Sequence, residues 1–305
     1  MFASGQREDG RRRNGSLAAL RVPFLTRSNP SRQPVPRCPA AALATIKKMT
    51  NPTPHSPPVR PSLAAQLNDA SSSPLRCYAR KVLGDAGALS LAYYELVNLL
   101  FCNMPSSLGY FLRRKCYRRM FRSVGSGLIL GRGVSIRHPC KITLGHRVAV
   151  DDNALLDASG LESEGIFIHD EVIVSRNCMV QAKIGSTTIG SRTEVGANSI
   201  ISSISKVEIG KFGLIGPHCL IGGGHYKTDR TGIPMMDMGW SSRGPLMIGD
   251  DVWLGTGVVV LDGVRVGTGC VVGAGAVVSK DLPDYAVAMG LPARIVRYRP
   301  KPGQG

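Results

Sequence analysis

The stretch IGDDVWLGTGVVVLDGVRVGTGCVVGAGAVV, residues 248–278, has an aliphatic residue at every sixth position. These positions are Ile248, Leu254, Val260, Val266, Val272 and Val278. A period of six matches neither the 3.6-residue period of a helix nor the two-residue alternation of a half-buried strand. It predicts short strands separated by sharp corners, with three strands in each coil of a triangular solenoid and the aliphatic residues pointing inward.

The same unit of three hexads occurs seven times between residues 124 and 278, and every slot holds Ile, Leu or Val. The first hexads open at Val124, Leu144, Ile168, Ile189, Ile209, Ile248 and Val266; the second at Leu130, Val150, Val174, Val195, Ile215, Leu254 and Val272; the third at Ile136, Leu156, Val180, Ile201, Ile221, Val260 and Val278. Seven stacked coils, spaced about 4.8 Å apart, predict a prism on the order of 30 Å tall.

Every extra residue follows a third hexad, so the insertions are predicted to leave the solenoid at one corner. The largest insertion, residues 222–247, reads GGGHYKTDRTGIPMMDMGWSSRGPLM. Long loops in compact domains are usually functional. We therefore expect the catalytic residue at the start of this loop, in Gly222-Gly223-Gly224-His225.

The segment IGDDVWLGTGVVVLDGVRVGTGCVVGAGAVVSKDLPDYAVAMGLPARIVR resembles the C-terminal half of hexapeptide-repeat O-acetyltransferases of the galactoside, maltose and nodulation-factor type. The resemblance covers roughly residues 124–298. It implies an all-β solenoid, specifically a left-handed parallel β-helix, a homotrimer, and acetyl-coenzyme A bound between neighbouring subunits. The left hand comes from the resemblance alone, since the general crossover rule would favour a right-handed connection.

In these relatives a histidine of the looped-out segment is the general base, and by position it matches His225. A neutral imidazole can take the proton of a sugar hydroxyl as the hydroxyl attacks the thioester carbonyl. The resemblance implies direct transfer in a ternary complex, without a covalent acyl-enzyme. Asp229 could orient the imidazole, although an aspartate in a loop is more often a turn residue.

The resemblance also implies contacts to the cofactor, acetyl-coenzyme A, at matching motifs. These are Thr256 after VWLG, Ala274 in VVGAGAVV, the pair Ser279 and Lys280, and Arg294 and Arg297 in LPARIVR. The lysine and the two arginines suit the phosphates of coenzyme A, because arginine offers a bidentate fork and lysine a point charge. The alternative is that these three basic residues bind no ligand and are solvated charges at the end of the solenoid.

The acceptor site is much less defined. The polar residues that hold the sugar in the galactoside enzymes do not align cleanly, and Asp157 and Asn198 are the nearest substrate-binding candidates. Two other functions stay open: N-acylation of an amino-sugar nucleotide, and a non-catalytic β-helix scaffold at a membrane surface. Serine acetyltransferases share the PARIV ending but lack this long loop.

The cysteines and histidines do not suggest a metal site. The chain has no Cys-x-x-Cys motif, and Cys178, Cys219 and Cys270 each precede an inward aliphatic residue by two positions, which predicts thiols in the core. A γ-class carbonic anhydrase would need three converging histidines, whereas the histidines here are scattered over different coils. We therefore expect no metal.

The net charge of +17 is concentrated before the repeats. Residues 1–48 carry ten basic and two acidic residues, and residues 49–123 carry ten and three. No aromatic residues alternate with the basic ones as in single-strand binders, so nucleic acid is not an expected partner. Residues 1–74 are predicted to be disordered, with residues 1–48 a targeting segment or translation upstream of a start at Met49. Residues 299–305 are predicted to be a flexible tail.

Residues 75–123 are predicted to form a helical cap over the first coil. The segment AGALSLAYYELVNLLFCNM, residues 86–104, could instead be read as a membrane anchor, but Glu95 and the following Pro105 argue against a spanning helix. A cap would cover the apolar core and unpaired strand edge at the end of the solenoid. Peripheral membrane contact through residues 86–122 is the alternative, and it would favour a lipid-linked saccharide as acceptor.

The sequence thus predicts an acetyl-coenzyme A-dependent O-acetyltransferase that acts on a small-molecule or lipid-linked saccharide in polysaccharide or glycolipid assembly. The expected location is cytoplasmic, and attachment to the cytoplasmic face of a membrane is the alternative left open.

Overall fold

The computed structural model describes residues 73–160 and 163–300. The expectations for residues 1–72 and 301–305 lie outside the described residues. Within them, three short helices precede a parallel β-solenoid with three faces. The all-β solenoid with an N-terminal helical cap is therefore confirmed. The left hand of the coil stays a prediction.

Each hexad set forms one face of the solenoid. The first face contains β1 (Ser123–Val124), β4 (Ile142–Leu144), β7 (Ile166–Ile168), β10 (Thr187–Ile189), β13 (Val207–Ile209), β18 (Leu246–Ile248) and β21 (Arg265–Val266). The second contains β2 (Ile129–Leu130), β5 (Ala149–Val150), β8 (Ile173–Val174), β11 (Glu194–Val195), β14 (Leu214–Ile215), β19 (Trp253–Leu254) and β22 (Val271–Val272). The third contains β3 (Ser135–Arg137), β6 (Leu155–Asp157), β9 (Met179–Ala182), β12 (Ile200–Ser203), β15 (Leu220–Gly223), β20 (Val259–Val260) and β23 (Val277–Val278).

The aliphatic slots form the core as the period predicted. Twenty of the 21 slot side chains are at most 5% exposed, and the exception, Val124 of the first coil, is partly buried against the same cluster. Cys178, Cys219 and Cys270 are fully buried among them, and burial raises the pKa of each thiol. These cysteines therefore act as small apolar core residues.

The C-terminal end departs from the repeat. Strand β24 (Ala286–Met289) continues the second face in parallel, but β25 (Arg294–Tyr298) pairs antiparallel with it. A hairpin thus replaces the coil expected up to residue 298. Arg299, which the sequence predicts to be part of a flexible tail, is held in place: its guanidinium donates to Asp251 Oδ2 at 3.0 Å and to the carbonyl of Gly269 at 2.8 Å.

The cap consists of α1 (Pro74–Leu83), α2 (Ala88–Phe101) and α3 (Ser106–Tyr117). Ser73 caps α1, and Pro105 lies immediately before α3, where a proline cannot disrupt helical hydrogen bonds. Val97 and Tyr117 belong to the solenoid core cluster, so the helices close its first coil. At 14 residues α2 is short, and within residues 73–160 and 163–300 no helix could cross a membrane.

The cap also supplies hydrogen-bond donors to carbonyl groups at the open edge of the first coil. Neighbouring coils exchange backbone hydrogen bonds, as when Gly131 N–H donates to the carbonyl of Val150, so first-coil carbonyls that point away from the second coil have no preceding strand to pair with. Tyr94 Oη donates to the carbonyl of Ile136 at 2.8 Å, and Arg113 Nε donates to that of Leu130 at 2.9 Å. Burial raises the pKa of Tyr94 to about 12, so its hydroxyl stays a donor at neutral pH.

Replacing Arg113 by methionine should destabilise the protein. Arg113 is buried and also donates to the carbonyls of Phe101 and Met104, so the change leaves three carbonyls without this donor. We expect the free energy of unfolding to fall by about 3 kcal/mol. Urea unfolding followed by circular dichroism measures this, with Arg114→Met at the neighbouring, more exposed position as the control. Equal loss in both variants would contradict this role of Arg113.

Candidate active site

The long loop leaves the solenoid at the edge between the third and first faces, which we call edge 3/1. Gly222 and Gly223 have φ angles of 94° and 92°, which favour glycine, and a Cβ on Gly222 would lie 2.3 Å from the carbonyl oxygen of Ser202. A Cβ on Gly224 would lie 2.5 Å from Ile204 Cδ1. The three glycines thus let the chain turn out of β15 against the wall of the solenoid and into His225.

The loop contains a small antiparallel hairpin that sequence reasoning missed. Strand β16 (His225–Tyr226) pairs with β17 (Trp240–Ser241), so that His225 lies opposite Ser241. The rings of Tyr226 and Trp240 stack with centroids 4.2 Å apart, and Lys183 Nζ lies 6.0 Å from the centroid of the tryptophan ring. Two-residue strands give too weak a sequence pattern to be recognised, and the two aromatic residues are 14 positions apart.

Contacts at the end of the loop tie it to edge 3/1. The backbone N–H of Arg243 donates to Asp262 Oδ2 at 2.7 Å, and Asp262 is buried. Ser205 Oγ donates to the carbonyl of Gly244 at 2.5 Å. With the aromatic stack, these contacts hold the hairpin that carries His225.

The side chain of His225 is exposed to solvent, as a base that must meet a substrate would be. Its ring makes no hydrogen bond to any residue that the structure describes. Asp229 is also exposed and, within the described ranges, contacts neither nitrogen of this ring. The orienting role considered for Asp229 therefore has no support in its geometry.

Thr256 and Ala274 lie on a different edge, between the second and third faces, which we call edge 2/3. They occupy the same corner in consecutive coils, and the N–H of Gly275 donates to the carbonyl of Thr256 at 2.8 Å. Both residues are exposed. Asn198 lies on this edge too, three coils before Ala274, and accepts a hydrogen bond from Asn177 Nδ2 at 3.1 Å.

The other predicted cofactor residues divide between two places. Ser279 and Lys280 follow β23 and so lie on edge 3/1, the edge that carries His225. Arg294 and Arg297 are exposed on β25, at the C-terminal end of the second face. The structure thus places cations on edge 3/1 and beside the second face.

A single chain does not bring His225 and Thr256 together through its solenoid. One strand of the third face separates edge 2/3 from edge 3/1, about five residues or roughly 17 Å. The loop contacts Lys183, Ile204 and Asp262, all at edge 3/1, so it does not fold across that face. His225 and Thr256 therefore lie on different edges of one chain.

The remaining acceptor candidate, Asp157, is not a free corner carboxylate. It is buried in β6, accepts from Arg137 Nη1 at 3.1 Å, and also accepts from the backbone N–H of Ser159. It lies three coils before the coil that carries the loop. Its carboxylate is engaged by Arg137 of the preceding coil, so it is not exposed for an acceptor in this chain.

A groove of about 320 Å³ lies on the first face and its edge with the second face. His169, Lys211, Asp250 and Arg265 are among its lining residues, and it contains none of the predicted catalytic or cofactor residues. In the described part of the chain, no group of three or more His, Cys, Asp or Glu side chains could hold a metal ion.

Comparison with known proteins agrees with the repeat and the fold. The family model "Bacterial transferase hexapeptide (six repeats)" matches residues 246–280. Over this segment the chain is similar to the bacterial hexapeptide transferases. Its matched segment begins at the end of the long loop and ends at Lys280, so it includes Thr256, Ala274 and Ser279.

Two relatives of this chain are named as acetyltransferases. A probable acetyltransferase of Mycobacterium tuberculosis is 36% identical over 120 residues, which are 39% of this chain and 40% of the relative. A galactoside O-acetyltransferase of Lactococcus lactis is 32% identical over 130 residues, or 41% of this chain and 61% of the relative. The chain thus spans about half the length of the relatives it matches.

Among solved structures, a maltose O-acetyltransferase from Clostridium difficile is 23% identical to this chain, with a TM-score of 0.38. The match covers 70% of this chain and 90% of the maltose O-acetyltransferase chain.

Proposed function

We propose that this protein is an acetyl-coenzyme A-dependent O-acetyltransferase that acts on a saccharide hydroxyl, with His225 as the general base. The observation that carries the proposal is the position of His225, which is exposed at the base of a hairpin that inserts at edge 3/1 of a hexapeptide solenoid. The resemblance to galactoside O-acetyltransferases supports the acyl donor and the acceptor class.

In the proposed reaction a saccharide hydroxyl oxygen attacks the thioester carbonyl while His225 takes the hydroxyl proton. The tetrahedral intermediate then collapses, the C–S bond breaks, and the proton passes to the departing thiolate of coenzyme A. Acetyl ester and free coenzyme A are the products. No residue of the chain is acylated in this reaction, because the resemblance implies direct transfer without a covalent acyl-enzyme.

We further propose that the active unit is a homotrimer. His225 and Lys280 lie on edge 3/1 and Thr256 and Ala274 on edge 2/3, so the cofactor contacts proposed for Thr256 and Ala274 meet the base only where two chains adjoin. Apolar side chains also line the outer surfaces beside edge 2/3. Ile173, Leu214 and Trp253 on the second face are 37–54% exposed, and Met179 and Leu220 on the third face are 41% and 37% exposed. Such surfaces favour self-association.

Thiol release from acetyl-coenzyme A tests the proposed function. The full chain is incubated with neutral sugars, amino-sugar nucleotides, lipid-linked saccharides and free serine. We expect release that depends on a hydroxyl-bearing saccharide. Release only with an amino-sugar nucleotide would identify the N-acyltransferase alternative, and release only with serine would identify a serine acetyltransferase. If the protein neither binds acetyl-coenzyme A nor releases thiol, the scaffold alternative is correct.

A further inference from the structure

The outer side of the cap carries an apolar stripe that no described residue covers. On α2, Val97 and Tyr94 face the solenoid and are at most 7% exposed. Four leucines lie on the opposite side of this helix at helical spacing and are 49–88% exposed. They are Leu89, Leu96, Leu99 and Leu100. Single exposed leucines are ordinary, but four along one side of a 14-residue helix form a patch.

Helix α3 also has an exposed apolar side. Tyr117 and Arg113 face the first coil, whereas Leu108 and Phe111 are 59% and 58% exposed. Both helices bury one side on the same coil, so their other sides face away from the solenoid, along its axis. We call this surface the cap face. It consists of Leu89, Leu96, Leu99, Leu100, Leu108 and Phe111.

Basic residues accompany the cap face. Residues 73–123 contain nine Lys and Arg but only two acidic residues, Asp85 and Glu95, and Glu95 accepts a hydrogen bond from Tyr78 Oη at 2.7 Å. Lys115 and Arg118 follow Phe111 on the exposed side of α3, and both are solvent-exposed. An apolar patch joined to a basic one is complementary to anionic lipid, whose head groups carry negative charge above an apolar layer.

We propose that the cap face binds the surface of an anionic membrane. Its leucines and Phe111 enter the boundary between head groups and acyl chains, and the basic residues contact the lipid phosphates. No segment spans the bilayer. This surface is independent of the acetyltransferase chemistry, since it lies at the opposite end of the chain from Lys280 and the C-terminal hairpin.

This attachment places the long loop in water above the membrane. The loop follows the fifth coil, about 20 Å along the axis from the first coil at 4.8 Å per coil. In the proposed trimer, three parallel solenoids would present three cap faces at one end. Weak binding of each cap would then add up to firm attachment, because the second and third contacts form at high effective concentration.

Vesicle co-sedimentation of the full chain tests this proposal. Vesicles of phosphatidylcholine alone are compared with vesicles containing about 30% phosphatidylglycerol, an anionic lipid. Two variants weaken the cap face: Leu89→Ser/Leu99→Ser and Lys115→Glu/Arg118→Glu. A third, Arg192→Glu/Lys211→Glu, makes the same charge change on the edge between the first and second faces, where both side chains are exposed. Circular dichroism verifies the fold of all three.

We expect binding to the anionic vesicles only, weaker at high salt, and reduced about tenfold or more in both cap variants but not in the Arg192→Glu/Lys211→Glu variant. Acetyl transfer to a soluble acceptor should be unchanged in all cap variants. Equal binding of the cap variants and wild type would overturn the proposal, because the basic residues 1–48 would then be responsible. Absence of binding to either kind of vesicle would also overturn the proposal. The proposal would likewise fail if, without vesicles, the protein formed a concentration-dependent dimer that the leucine variant abolished, because the cap face would then bind a second copy of the chain.

Discussion

Replacement of His225 by alanine should lower kcat for acetyl transfer roughly a hundredfold to ten-thousandfold, the range expected when a general base is removed. The physical reason is that the saccharide hydroxyl is a weak nucleophile until a base accepts its proton in the transition state. Binding of acetyl-coenzyme A should be retained, since the proposed cofactor contacts lie on the solenoid rather than in the loop. Thiol release and calorimetric titration with coenzyme A measure the two quantities.

His169→Ala is the matched control for His225→Ala. His169 is also exposed at a corner of the solenoid, but it lines the groove on the first face, away from the loop. It should retain wild-type turnover. His225→Asn adds a second test, because asparagine can hydrogen-bond but cannot accept a proton, and it should be as inactive as the alanine variant. Normal turnover in either His225 variant would contradict the assignment of His225 as the general base.

Two inactive variants should restore each other when they share a trimer. His225→Ala lacks the base on edge 3/1, and Ala274→Trp blocks the exposed corner on edge 2/3 without entering the core. The two chains are co-expressed with different tags, and only doubly tagged trimers are kept. If each cleft joins edge 3/1 of one chain to edge 2/3 of its neighbour, one of the three clefts in every mixed trimer is intact. We expect about one third of wild-type turnover.

The alternative arrangement predicts a different number. If His225 acts with Ala274 of its own chain, every chain in a mixed trimer carries one defect, and turnover stays at the level of the single variants. Doubly tagged trimers of His225→Ala alone provide the baseline, and wild-type trimers with the same two tags provide the maximum. Failure of the pair to form trimers, measured by sedimentation, would instead contradict the proposed assembly.

The loop was located from the sequence, but its internal structure was not. The six-residue spacing places every insertion at edge 3/1, and the Gly222-Gly223-Gly224 run indicates where the chain turns out. The hairpin that carries His225 could not be foreseen, because its strands have two residues each and are held by the Tyr226–Trp240 stack. Asp157 shows the same limit, since its partner Arg137 lies 20 positions earlier and meets it only through coil stacking.

The sequence by itself determined the solenoid, its three faces and its core, because a local period of six repeats the same inward position in every coil and each coil needs only its neighbours. It also determined the cap, whose apolar helix lies next to the first coil along the chain. Only the tertiary structure decided that His225 and Lys280 share one edge while Thr256 and Ala274 share another, and that the cap leaves an apolar face uncovered. Those relations depend on which corner each residue occupies and on which helix sides are buried, and such facts arise from stacking and packing between distant segments.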